Sequence, residues 1–85
     1  MDVRGKRITV FGMGASGVAV LGLLREHGAL VRAADVKPRE ALPAFDAPFV
    51  AQSPEALVDC DLAVLSPGVP PDLPLFAAAA QRGIP

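Results

Sequence analysis

The stretch "VFGMGASG", residues 10–17, sets three glycines in the spacing G-x-G-x-x-G. Before it, "KRITVF" (residues 6–11) is β-branched and apolar and ends at a glycine, which predicts a strand. After it, residues 15–27 predict a helix, because Gly17, Val20, Leu21, Leu24 and Gly28 keep the i, i+3, i+4, i+7 rhythm of a buried stripe. Gly28 also closes that helix, since glycine enters the left-handed conformation without steric cost. A glycine loop between strand and helix has three separable tasks. Gly12 permits the tight turn, Gly14 keeps a side chain out of the way of a phosphate, and Gly17 lets the helix pack closely. The helix N-terminus adds unpaired N–H groups and the positive dipole end, both favourable to an anion. A dinucleotide is one guest for such a loop, another phosphate compound is a second, and a turn that only packs helix on strand is a third.

The rest of the chain repeats the alternation. "ALVRAAD" (residues 29–35) is a second strand ending in a carboxylate, and "VKPREALPAFDAP" (residues 36–48) is a loop with three prolines. "FVA" (residues 49–51) is a short third strand. Ser53-Pro54-Glu55 reads as a brief helix start, with serine as cap and proline at the first helical position. "DLAVLS" (residues 61–66) is a fourth strand, apolar enough to be covered on both faces. Asp72 caps a last helix through residues 73–82, stopped by Gly83. Strands alternating with helices imply parallel βαβ units. The expected fold is a Rossmann-like α/β/α arrangement with about four parallel strands in the order 3-2-1-4. The chain stops at "GIP", where a further strand is expected to begin, so it reads as a sub-domain cut from a larger protein. The exposed edge of strand four then invites self-association of the fragment.

Composition narrows the classes. Eighty-five residues form one small domain, 52% hydrophobic and 20% charged, with a formal net charge of −1. A chain of that size buries roughly 60–65% of its unfolded surface. No basic run offers a nucleic-acid footprint. The lone Cys60 excludes an internal disulfide framework and suits a reducing compartment. No stretch reads as a signal peptide or membrane span, so the expected location is the cytoplasm. No Asp, Glu, His or Cys cluster has metal-ligand spacing, and the sequence carries no G-x-x-x-x-G-K-[ST] loop for ATP. Ser66 has no histidine partner and is no nucleophile. His27, the single histidine, sits at a helix end and reads as a surface cap.

Two further features address the guest. Asp35 stands eighteen residues beyond Gly17, where an acid accepts from a ribose hydroxyl in dinucleotide enzymes. A carboxylate there accepts equally well from the imide N–H of a uracil, and the bland alternative is a solvated acid at a strand end. Lys37 is close enough to stack on a ligand or neutralise it, and taken alone it reads as a surface lysine. "LSPGVPPDLPL" (residues 65–75) ends a buried strand in Ser66 and turns through Pro67 and Gly68. In the doubly wound order this turn faces the glycine loop across the switch point between strands one and four, where ligands bind. The Ser66 hydroxyl and the Gly68 N–H are then expected to offer donors to the same anion; without the first loop, the segment reads as a proline-braced turn that holds no ligand.

Taken together, "VFGMGASG", "ADVKP" and "VLSPGVPPDLPLFAAAAQRGIP" resemble the N-terminal domain of the bacterial Mur ligases, most closely the D-glutamate-adding branch. The resemblance covers residues 6–85. It implies a Rossmann-like domain that binds the UDP end of a nucleotide-sugar, UDP-N-acetylmuramoyl-L-alanine, rather than NAD. By position, Gly14, Ala15 and Ser16 hold the pyrophosphate, with Gly12 and Gly17 shaping the loop. Asp35, Val36 and Lys37 frame the uracil, and Ser66, Pro67 and Gly68 contact the uridine–diphosphate region. Val36 has no hydroxyl, so its contact is through the backbone. The resemblance implies a peptidoglycan-building ligase whose central and C-terminal domains supply ATP, Mg2+ and the catalytic residues. The 85 residues then bind but do not catalyse. The alternatives from other classes are an NAD(P)-binding half of an oxidoreductase and a regulatory module that binds no nucleotide.

Overall fold

The computed structural model describes residues 3–66 and residue 69. Within them four parallel strands form one sheet in the order β3-β2-β1-β4. These are β1 (Arg7–Phe11), β2 (Leu30–Asp35), β3 (Phe49–Ala51) and β4 (Leu62–Leu65). Helix α1 (Ala15–Glu26) crosses between β1 and β2, and short 3-10 turns occupy Arg39–Ala41 and Pro54–Leu57. The sheet order is the one expected from the alternation of elements, and the fold is Rossmann-like. The proposed helix after Asp72 and the turn through Pro67 and Gly68 lie outside the described residues.

Alternation along β1 divides the core between the two faces of the sheet. Ile8 and Val10 join Met13, Leu21, Ala29 and Ala33 in a cluster under α1. Phe11 and Ala34 join Ala56 and Leu57 from the 3-10 turn on the other face. Thr9 is the polar exception, fully buried in the middle of the sheet. Its hydroxyl donates to the Ala56 carbonyl at 2.8 Å and accepts from the Arg32 guanidinium at 3.1 and 3.2 Å. Arg32 also donates to the Ala56 and Val58 carbonyls, so one arginine ties the 3-10 turn to β1 and β2.

Helix α1 keeps the expected apolar stripe in part: Gly17 and Leu21 are buried, and Val18 and Leu24 pack against the core. Gly28 has φ +89°. Its N–H donates to the Arg25 carbonyl, and that of Ala29 to the Leu24 carbonyl, the paired bonds of a Schellman ending. The His27 ring nitrogen Nδ1 lies 2.9 Å from the Leu23 carbonyl oxygen, so the histidine does serve as a cap.

One local reading needs correction. The turn at residues 54–57 is a 3-10 helix, and Ser53 makes no side-chain cap there. Its hydroxyl hydrogen-bonds the Glu55 carboxylate instead. Four residues are too few for an α-helix, and the nearby acid outcompetes the backbone for the hydroxyl. The proline-rich segment between β2 and β3 is the expected loop, with one 3-10 turn at Arg39–Ala41. Arg39 lies 4.6 Å from the centre of the Phe45 ring and donates to the Phe45 and Ala47 carbonyls.

Candidate functional site

The register of the sheet brings the candidate residues to one level. Phe11 pairs with Ala34 on one side and with Leu65 on the other. The next residues along the three strands are Gly12, Asp35 and Ser66, which therefore flank the loop at the carboxyl end of the sheet. Gly12 lies at φ +89°, and its N–H donates to the Ala34 carbonyl at 2.8 Å. A Cβ on Gly12 would lie 2.6 Å from Val69 Cγ2. The turn therefore requires glycine for both conformation and space.

Gly17 is required for a different reason. A Cβ there would overlap the Gly12 carbonyl oxygen and lie 2.7 Å from Ser66 Oγ. The first turn of α1 rests directly on the glycine loop, a closer approach than the helix-on-sheet packing expected from the motif. Gly14 differs from both. Its φ is −72°, which any residue adopts, and a Cβ on it would meet nothing within 4 Å. Its lack of a side chain is not demanded by the fold, and it leaves open space at the start of the helix.

That helix start carries no compensation of its own. Gly14 is the N-cap, no side chain caps it, and no acidic residue stands in the first turn. The N–H groups of Ala15, Ser16 and Gly17 have no partner within the helix, and they carry its positive dipole end. Ala15 and Ser16 are exposed.

Asp35 and Ser66 reach the loop, but their first partners are main-chain atoms. The Met13 N–H donates to Asp35 Oδ2 at 2.7 Å, and the Lys37 N–H donates to Asp35 Oδ1 at 2.9 Å. The Ser66 hydroxyl, expected to face an anion, donates to the Gly12 carbonyl at 2.7 Å. Ser66 is only 7% exposed. Val36 lies at the exit of β2 with 76% of its surface exposed, beside the exposed Lys37. The expected contacts of Pro67 and Gly68 fall outside the described residues.

Away from the loop, a cavity of about 650 Å3 lies at the amino-terminal ends of β1 and β2, lined by Arg7, Leu30, Arg32 and Arg39 among others. Its position is set by the shortness of β3, which pairs only with Ala33–Asp35 and leaves the first half of β2 uncovered on that side. Its guanidinium groups are already engaged: Arg7 with Asp59 and Asp61, Arg25 with Asp46, and Arg39 with backbone carbonyls. Position and chemistry both favour the glycine loop as the site. Among the described residues no group of three or more metal-ligating side chains gathers, and no helix is long and apolar enough to cross a membrane.

Residues 6–85 match the family model described as Mur ligase MurD-like, N-terminal domain. The chain is 41% identical over 87 residues to UDP-N-acetylmuramoylalanine--D-glutamate ligase of Solibacter usitatus, covering 99% of this chain and 20% of that protein. It is 40% identical over 93 residues to the ligase of the same name from Myxococcus xanthus, again covering 99% of this chain and 20% of the relative. Among solved structures, the TT0316 protein from Thermus thermophilus superposes with a TM-score of 0.65 at 25% identity, over 85% of this chain and 22% of that one. The chain thus spans about a fifth of the length of the curated relatives it matches. With the sheet order, the glycine loop and a family match over residues 6–85, the chain belongs to the MurD-like N-terminal domain family of the Mur ligases.

Proposed function

We propose that this chain is the UDP-binding N-terminal domain of a D-glutamate-adding ligase of peptidoglycan synthesis, and that its guest is UDP-N-acetylmuramoyl-L-alanine. The observation that carries the reading is Gly14, a glycine that neither backbone conformation nor packing requires, at the mouth of an uncapped helix start. A diphosphate seated there accepts from the N–H groups of Gly14, Ala15, Ser16 and Gly17 and interacts favourably with the helix dipole. The uracil lies at the β2 exit, beside the Val36 backbone and within reach of Asp35 and Lys37. Ser66, Pro67 and Gly68 close the uridine–diphosphate region from the β4 side. ATP and Mg2+ belong to parts of the ligase beyond these 85 residues, as does the amide-forming step. In this reading the domain binds and orients the substrate without touching the reacting carboxylate.

Titration calorimetry of the full-length protein tests the reading. UDP and UDP-N-acetylmuramoyl-L-alanine are expected to bind, and NAD to bind far more weakly. Preferential binding of NAD(H) would overturn it in favour of an oxidoreductase half. That alternative rests on the glycine loop and on Asp35, whose two oxygens already accept main-chain N–H groups, which leaves the carboxylate less open to a ribose diol and a uracil imide alike.

A further inference from the structure

The peptide group joining Gly12 to Met13 is gripped at both ends. Its carbonyl oxygen accepts from the Ser66 hydroxyl at 2.7 Å, and its N–H donates to Asp35 Oδ2 at 2.7 Å. The grips come from opposite neighbours of β1, Asp35 from the end of β2 and Ser66 from the residue after β4. We propose that Asp35 and Ser66 are positioning residues that clamp the Gly12–Met13 peptide and fix, before any nucleotide arrives, the direction in which the following N–H groups are presented.

The chemistry of the two grips makes the clamp directional. An ionised carboxylate only accepts, whereas the serine hydroxyl supplies a donor. Turning the peptide over would set the Gly12 carbonyl against the carboxylate, acceptor against acceptor. Such a turn is otherwise easy beside a glycine at positive φ. The clamped carbonyl is also the atom on which α1 rests, as the overlap of a Cβ at Gly17 with it shows. The orientation of one peptide is thereby passed by contact to the helix start. Met13 N–H is turned to Asp35 and away from a ligand, so the phosphate donors begin at Gly14. The other Asp35 oxygen holds the Lys37 N–H, so the same carboxylate also sets the β2 exit. The loop and the β2 exit share one anchor.

The binding arm of the test rests on the nucleotide reading above, whereas the amide arm does not. In full-length protein labelled with 15N-methionine, the Met13 amide is assigned by its loss in Met13→Leu. Without nucleotide, its proton is expected to exchange slowly with solvent. Asp35→Ala should abolish that protection, and Asp35→Asn, which keeps one acceptor oxygen, should restore part of it. Ser66→Ala should also speed Met13 exchange, although Ser66 does not touch that N–H. Ser66→Cys, with a weak donor of similar shape, supplies the comparison if Ser66→Ala fails to fold. In calorimetry each of Asp35→Ala and Ser66→Ala is expected to weaken UDP about tenfold, and the double variant about 10–30-fold rather than about a hundredfold, because both act on one peptide. Unchanged Met13 exchange in the Ser66 variants, or multiplicative losses in the double variant, would overturn the clamp. If the parent protein fails to bind UDP, the nucleotide reading falls and Met13 exchange alone decides the clamp.

Discussion

The two ends of the β-sheet use polar groups in opposite ways. At the amino-terminal end, charged side chains answer one another. Arg7 Nε and Nη2 donate to the two oxygens of Asp61 at 3.2 and 3.1 Å, the Arg7 N–H donates to the same carboxylate, and Arg25 pairs with Asp46. At the carboxyl end, Asp35 and Ser66 are spent on the backbone of the glycine loop, and the helix start is left without an internal anion. The arginine-lined cavity is at the first end, and the uncapped helix start, with no acid in its first turn, is at the second.

The contrast can be broken first at its most crowded point. Gly17→Ala puts a methyl group into the Gly12 carbonyl and is expected to cost at least about 3 kcal/mol of stability, measured by denaturant unfolding. A tolerated alanine would mean that α1 does not rest on the loop. Next comes the middle of the sheet, where Thr9→Val strips the Ala56 carbonyl and Arg32 of one partner each. The expected loss is about 1–2 kcal/mol in the same assay, without any change in nucleotide affinity.

Gly14→Ser separates folding from binding. Serine is a good N-cap and the site accepts its conformation, so stability is expected to hold or rise by a few tenths of a kcal/mol. Its hydroxyl would claim the same N–H groups as a phosphate, and UDP affinity should fall about tenfold on the scale of one charge-assisted hydrogen bond. Equal affinity for the serine variant would remove Gly14 from the site.

The smallest effect belongs to the amino-terminal end. Hydrogen bonds from the Arg7 side chain, then from its backbone N–H, pull the Asp61 carboxyl down from 3.8 to about 2. A carboxylate lowered on folding adds stability above its ordinary value and loses that contribution as pH falls through its folded one. Acid unfolding should therefore steepen between about pH 4 and pH 2 in the parent protein, and flatten there in Asp61→Asn. Identical acid profiles would count against the pairing.

Much of this was legible in the sequence for a simple reason. The signals for β1, α1 and β2 are local: β-branched runs, a helical stripe, and a glycine at each boundary. Strand ends shifted by a residue, but the order of the sheet followed from the alternation. The sequence assigns Asp35 to a ribose or a base and Ser66 to an anion, whereas in the structure both bind the main chain of the glycine loop. A side chain's partner depends on register between strands distant in sequence, and nothing local in "AAD" or "LSP" specifies Met13 N–H or the Gly12 carbonyl. The internal contacts of the loop at residues 36–48 are not legible for a related reason. Prolines announce a loop, whereas its shape comes from Arg39 reaching back over Phe45.

The separation of Gly12 and Ser66 by 54 residues has a consequence for the order of events in folding. Met13 and Asp35 are only 22 residues apart, so β1, α1 and β2 can close on one another early, when the entropy lost in forming the loop is modest. Pairing of β1 with β4 closes the longer loop, and contacts of high sequence separation are slow to form. The Asp35 half of the grip on the Gly12–Met13 peptide is therefore expected to form before the Ser66 half. The glycine loop reaches its final shape only when the fourth strand docks.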